Sequence, residues 1–230
     1  MAKFKLSEFK TPEKHSHLLW RRFVVDPLFR FPAYLIVNYT NITPNQITFF
    51  AFLLSILQFY FFTNGSLILG ALFNQLSFGL DQIDGKIARL KGLVSKSGTL
   101  MDSIIDKVRV LLGVTGLIIY FKSDFAVSIL LLALLFTNMM FDFIGVFLLY
   151  RIDHVTDKAI HLDYNENKKK HHIGFSTQEQ EAIVFFFAPV LYLFYKNSIY
   201  YIIGLAVILM VLYLTIRVIK AIKRYNHHKI

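Results

Sequence analysis

The stretch FAVSILLLALLFTNMMFDFIGVFLLY, Phe125 to Tyr150, decides the fold class, because its only charge is Asp142. As a helix it is long enough to cross a bilayer core of about 30 Å, which takes about 20 residues. Working outward, comparable runs extend over Gln46 to Thr63, Ser66 to about Arg89, Thr99 to Phe121, Gln180 to Tyr195 and Ser198 to about Ile216. The expectation is an all-α integral membrane protein with six transmembrane helices. The fifth run is the shortest and contains Pro189, which either kinks it or breaks it into two short helices. Composition agrees: 55% hydrophobic residues, 24 Phe and 12 Tyr in 230 residues exceed what one water-soluble core needs. The absence of Cys excludes a disulfide scaffold, a Cys-ligated zinc site, an iron–sulfur cluster and cysteine nucleophile chemistry.

Charge sets the expected orientation. The net charge of +10 is spread between apolar runs and forms no continuous basic face, so a membrane surface is the expected partner and nucleic acid is not. Basic residues crowd the first 45 positions, the connection holding Arg89, Lys91 and Lys96, the connection from Arg151 to Lys170, and the tail from Arg217 to Lys229. The alternate connections hold only Lys122 and Lys196. The positive-inside rule then places both termini in the cytoplasm. No cleavable signal peptide is expected, since the first long apolar run follows a charged segment. Between His15 and Val37, apolar residues alternate with Arg21, Arg22, Asp26 and Arg30, as in an amphipathic helix lying along the membrane surface. The chain divides into a cytoplasmic N-terminal segment with this helix (1–45), a six-helix transmembrane domain (46–218) and a basic cytoplasmic tail (219–230).

Thr43, Pro44 and Gln46 give a cap residue, a proline at the first helical position and an amide three residues after the cap; Ser176 and Glu179 repeat the capping-box spacing. Between Arg151 and Gln178, His154, His161, His171 and His172 are spaced irregularly, which favours a solvated loop over a metal cluster. No internal repeat is visible.

Four acids stand out against this apolar background: Asp81 and Asp84 late in the second span, Asp102 and Asp106 early in the third. Ionisable groups in membrane helices are costly and mark functional sites. Spacings of three and four residues put each pair on one helix face, and the short connection between the spans makes the helices antiparallel neighbours, so the four carboxylates can converge near the cytoplasmic boundary. Oxygen-only ligands point to a hard ion, Mg²⁺ or Mn²⁺, of the kind shared with substrate phosphates. Lys86, Arg89, Lys107 and Arg109 are the cations near enough in sequence to offset the charge. The small residues Gly85 and Ala88 either leave room for a ligand or let helices pack closely.

In order, the chain has Asp81, Asp84, Gly85, Ala88, Arg89, Gly98, Asp102 and Asp106. This pattern resembles the signature of the class I CDP-alcohol phosphotransferase (phosphatidyltransferase) family, and six spans behind an amphipathic N-terminal helix agree with it. The resemblance implies that Asp81, Asp84 and Asp102 hold one or two divalent ions on the CDP pyrophosphate. It further implies that Asp106 joins that metal site and acts as general base, and that Asn45, Thr48, Gly85, Ala88, Arg89 and Ser95 contact the donor. Homodimers are common among relatives.

The implied reaction is attack of an acceptor hydroxyl on the β-phosphate of a CDP-alcohol, CDP-diacylglycerol foremost, with release of CMP, in phospholipid or related polar lipid synthesis. The acceptor stays open, as does a choline- or ethanolamine-type transfer to a lipid alcohol. Asn138 and Asp142 share a face of the fourth span and either line an acceptor cavity or bond between helices. Arg151 either binds an acceptor phosphate or is ordinary boundary charge. From another class, a cation-coupled transporter predicts carboxylates at the midplane and a through-path, and a noncatalytic scaffold has no use for four acids.

Overall fold

The computed structural model describes residues 4–9, 20–155 and 177–227; among them every regular element is helical. A π-turn, Arg21–Val25, leads into α1 (Asp26–Tyr39), followed by α2 (Pro44–Thr63), α3 (Leu67–Lys91), α4 (Lys96–Tyr120) and α5 (Phe125–Val155). From residue 177 onward come α6 (Thr177–Ala182), a second π-turn (Ile183–Phe187), α7 (Ala188–Tyr192) and α8 (Ser198–His227). Three of these helices are long and apolar enough to cross a membrane: α2, α5 over Phe125–Ile144 and α8 over Ser198–Ile219. Helices α3 and α4, at 25 residues each, have the length but carry the acids. Outward-facing positions of α5 and α8, among them Leu132, Phe136, Leu205, Ile208 and Leu212, are exposed and apolar, which is the pattern of a lipid-facing surface.

Local chemistry explains the boundaries. Thr43 and Gln46 form the reciprocal capping box at the start of α2, with the Thr43 N–H donating to Gln46 Oε1 at 2.9 Å. Gly92, at φ 66°, closes α3 in the left-handed conformation. Ser95 Oγ accepts the Gly98 N–H at 3.0 Å and caps α4. The fifth run does not break at Pro189. It stays helical from 177 to 192, and the π-turn just before the proline absorbs the missing N–H, a common way to carry a helix past proline.

Successive helices run up and down, so the α2–α3, α4–α5 and α7–α8 turns meet at one end of the bundle. Gly65 there lies against Tyr120, and Ser123, Tyr192 and Asn197 line a common cavity. Asp124 at this end accepts the Val127 N–H and the Tyr200 hydroxyl; the phenol, chiefly, holds the Asp124 carboxyl below the usual carboxylate range. A core of Phe62, Val114, Leu117, Leu131, Phe185 and Ile203 fills this half of the bundle.

The opposite half is built around α3. Val25, at the end of the π-turn, and Phe29, Ala33 and Val37 on α1 form a stripe that packs on Phe78, Ile83 and Ile87. The other side of α1 exposes Leu28, Phe31 and Leu35. The Phe29 ring occupies the space a side chain on Gly79 would need: a Cβ there would lie 2.0 Å from it. Trp20 ties the same segment down twice, donating its backbone N–H to Glu179 Oε1 and its indole N–H to Gln75 Oε1, both at 3.0 Å. Glu179 thus makes a tertiary bond; Ser176, its expected capping partner, lies outside the described residues, as do His161, Lys168, Lys169, Lys170, His171 and His172.

Candidate active site

Helices α3 and α4 bring Asp81, Asp84 and Asp102 together: each offers a carboxylate oxygen, and these lie within 4.8 Å of one another. Asp81 and Asp84 are buried and Asp102 is half-buried. Asp84 is fixed from α2, where the Thr48 hydroxyl sits 2.5 Å from its Oδ2, nearer than the 3.1 Å to Pro44 O. Asp81 Oδ2 accepts from Gln82 Nε2 at 3.1 Å, whereas its buried Oδ1 accepts no hydrogen bond. An orphaned carboxylate oxygen beside two further carboxylates is the donor set a hard divalent ion takes, so these residues fit such an ion.

Asp106 lies apart from that trio. Its Oδ1 accepts from Arg109 Nη2 at 2.6 Å, one helical turn along α4. Arg109 is 1% exposed and also meets Glu181 Oε2 at 3.2 Å and Asp81 Oδ1 at 3.6 Å, with its guanidinium carbon 5.3 Å from the Phe78 ring centre. Of the four cations expected beside the acids, Arg109 alone forms an ion pair with them among the described residues. Lys86 turns to α1 and donates to Asp26 at 2.5 Å, Lys107 turns to α5 and pairs with Asp142, and Arg89 is exposed. The helical rotation of about 100° per residue puts these lysines on faces the acids do not share.

A cavity of about 240 Å³ opens beside the carboxylates, bounded by α2, α3 and the start of α4. Asp84 and Asp102 line it, and so do Asn45, Thr48, Gly85, Ala88, Arg89 and Ser95, every residue expected to contact a donor. Of the two readings of Gly85, the geometry favours room for a ligand: a Cβ there would meet only the Arg89 guanidinium, at 3.4 Å, and no neighbouring helix. Ser95 faces the cavity while also capping α4.

The candidates for an acceptor site lie elsewhere. Asn138 is 1% exposed and its amide donates to Gln180 Oε1 at 3.4 Å, while Gln180 Nε2 donates to Thr137 Oγ1 at 3.3 Å. Asp142 pairs with Lys107. Both therefore bond between helices, and neither lines the cavity beside the acids. Arg151 falls in α5, but its side chain lies outside the described residues, as does that of His154.

Glu181 was not among the expected site residues. In sequence it reads as one of several acids and amides opening the fifth helix; only the burial of α6 against α4 gives it a role. A signal was present in Gln180 and Glu181 standing side by side where the apolar run begins.

The family model described as CDP-alcohol phosphatidyltransferase matches residues 41–219. The chain is 41% identical over 68 residues to archaetidylinositol phosphate synthase of Pyrococcus horikoshii, covering 30% of this chain and 36% of that protein. It is 46% identical over 67 residues to the bifunctional IPC transferase and DIPP synthase of Thermococcus kodakarensis, covering 29% of this chain and 15% of that protein. The chain thus matches about a third or less of these relatives' length. In fold it resembles the crystal structure of Mycobacterium tuberculosis phosphatidylinositol phosphate synthase with CDP-DAG bound, at a TM-score of 0.54 and 19% identity over 84% of this chain and 92% of that one.

Proposed function

The chain belongs to the CDP-alcohol phosphatidyltransferase family, and from that premise we propose that it transfers the phosphate-linked alcohol of a CDP-alcohol, CDP-diacylglycerol foremost, to an acceptor hydroxyl with release of CMP. It is a transferase of substituted phosphate groups. The observation that carries the reading is the position of the carboxylate trio, with Asp84 and Asp102 in the wall of the cavity that also holds Gly85 and Arg89. Arg89 offers a planar fork to a phosphate, and the N-terminus of α2 turns backbone donors toward the same space.

Asp81, Asp84 and Asp102 would hold Mg²⁺ or Mn²⁺, which when bound supplies charge neutralisation on the phosphate oxygens and on the departing CMP. Asp106, anchored through Oδ1 to Arg109, has Oδ2 for the acceptor proton. The acceptor oxygen forms its bond to the β-phosphorus as the bond from that phosphorus to the bridging oxygen breaks. The bond electrons leave with CMP, and the proton passes to Asp106. Two relatives are named as inositol phosphate lipid synthases, which makes an inositol phosphate the first acceptor to try.

In this reading 46–218 is a catalytic domain of six membrane-crossing helices, with α3, α4 and the 177–192 helix joining the three apolar ones. Residues 1–45 lie on the membrane surface through α1, 219–230 form a basic tail, and the termini and active site share the cytoplasmic side. The protein works as a homodimer. The test is CMP release by purified protein given CDP-diacylglycerol and a panel of acceptors. EDTA should abolish it and Mn²⁺ or Mg²⁺ restore it; full turnover in metal-depleted protein would refute the metal-dependent reaction.

A further inference from the structure

Five carboxylates surround the inner end of this site: the trio, Asp106 and Glu181. Among the described residues, one buried guanidinium, that of Arg109, forms ion pairs with them. Arg109 carries one charge but meets three of the acids, and its bonds are unequal. Nη2 lies 2.6 Å from Asp106 and 3.2 Å from Glu181, whereas Nη1 stops 3.6 Å short of Asp81 Oδ1. Neither Nη1, nor Nε, nor that Asp81 oxygen has a hydrogen-bond partner, although all are buried. A buried fork left with open donors next to an open acceptor closes the gap unless something holds it back.

What holds it is on α6. Glu181 is 7% exposed and lies across the guanidinium from α4. Its neighbour Gln180 is fully buried and bonds to Thr137 and Asn138 on α5, so the start of α6 is fastened to a second helix and cannot follow Arg109 toward the acids. We propose that Glu181 is a positioning residue: by anchoring Arg109 from behind, it keeps the guanidinium close enough to orient Asp106 but withheld from Asp81 Oδ1, leaving that oxygen available to a divalent cation. The proposal rests on the metal-binding reading of the trio above. It assigns Glu181 no contact with substrate.

The consequence is specific. In Glu181→Gln the shape and an acceptor oxygen remain, but the anchoring charge is gone, so Arg109 shifts its pairing toward Asp81 and Asp106 and competes with the ion. Outer residues that set metal ligands typically change affinity by about 10- to 100-fold. Titrating the detergent-solubilised protein with Mn²⁺ and following free Mn²⁺ by electron paramagnetic resonance should show a dissociation constant raised about 10-fold or more in Glu181→Gln. The same substitution in an Arg109→Gln background should add less than about two-fold, because Glu181 acts through Arg109. If Arg109→Gln does not fold, Arg109→Lys replaces it, since one ammonium cannot span the three acids. Unchanged Mn²⁺ affinity in folded Glu181→Gln, or an equal loss in both backgrounds, overturns the proposal. A wild type that binds Mn²⁺ with this dependence on Glu181 yet releases no CMP refutes the transfer reaction while upholding Glu181's role; a wild type that binds no Mn²⁺ overturns both.

Discussion

Each acid of the site has a different set of neighbours, and the differences predict different phenotypes. Asp84 is held by the Thr48 hydroxyl at 2.5 Å and lines the cavity, so Asp84→Ala removes a ligand and Thr48→Val removes what orients it. A hydrogen bond to a charged group contributes about 1.5 to 3 kcal/mol, so Thr48→Val is expected to weaken binding of the CDP-alcohol by about 10- to 100-fold in calorimetric titration. Asp106 stands apart from the trio with one oxygen on Arg109. Asp106→Asn keeps an oxygen for Arg109 but cannot take a proton, so donor binding should fall modestly while single-turnover CMP release loses about 10² to 10⁴-fold. Near-normal turnover in Asp106→Asn would exclude it as the base. The Asp81-to-Asp106 spacing was legible along the chain because helix periodicity alone puts i, i+3 and i+4 on one face. Glu181 was not, since its partner Arg109 is 72 residues away.

At the scale of elements, the tightest contact seating α1 on α3 is Phe29 against Gly79. Phe29 enters α3 over Gly79 with no space to spare, and Lys86 to Asp26 adds a polar tie a little farther along. Gly79→Val should therefore push α1 off α3, since overpacking a filled contact costs about 1 to 3 kcal/mol. The expected result is a lower melting temperature in detergent and faster proteolysis within residues 20–40, both partly restored by adding Phe29→Ala. A Gly79→Val protein with wild-type melting and cleavage would show that α1 is not seated through this contact. The amphipathic pattern of this segment was visible in the sequence; that its buried stripe faces α3, leaving Leu28 and Phe31 outward, was not. An alternation of apolar and charged residues reports that a helix has two faces, not which neighbour each face meets.

For the whole molecule, the up-and-down course of the helices makes sidedness testable in a chain without cysteine. Ser66, Ser123 and Asn197 are exposed at the turns of one end, while Lys96 is exposed beside the carboxylates at the other. If the acidic end is cytoplasmic, an impermeant maleimide applied to intact cells should label Ser66→Cys, Ser123→Cys and Asn197→Cys and spare Lys96→Cys until the cells are opened. Labelling of Lys96→Cys alone in intact cells would invert the orientation. The transporter alternative gains nothing from the arrangement, since Asp84 and Asp102 lie within two turns of the α3 and α4 ends and not halfway along them.

The helical class, the capped start of α2 and the convergence of Asp81, Asp84 and Asp102 were determined by local features of the chain: apolar length, capping residues, charge spacing and a short connection between α3 and α4; the residues lining the cavity were expected only from the family resemblance. Such local features act over a few residues, and so they can be read in order. Which cation answers the acids was decided only by the tertiary structure. Lys86, Lys107 and Arg109 are equivalent in composition, yet α1 claims the first, Asp142 on α5 the second, and Glu181 shares the third. The same holds for Asn138 and Asp142, which share a face of α5 but bond to α6 and α4. In a buried, low-dielectric interior every charge must find a partner, and the partner is whichever group the packing of distant helices brings within reach.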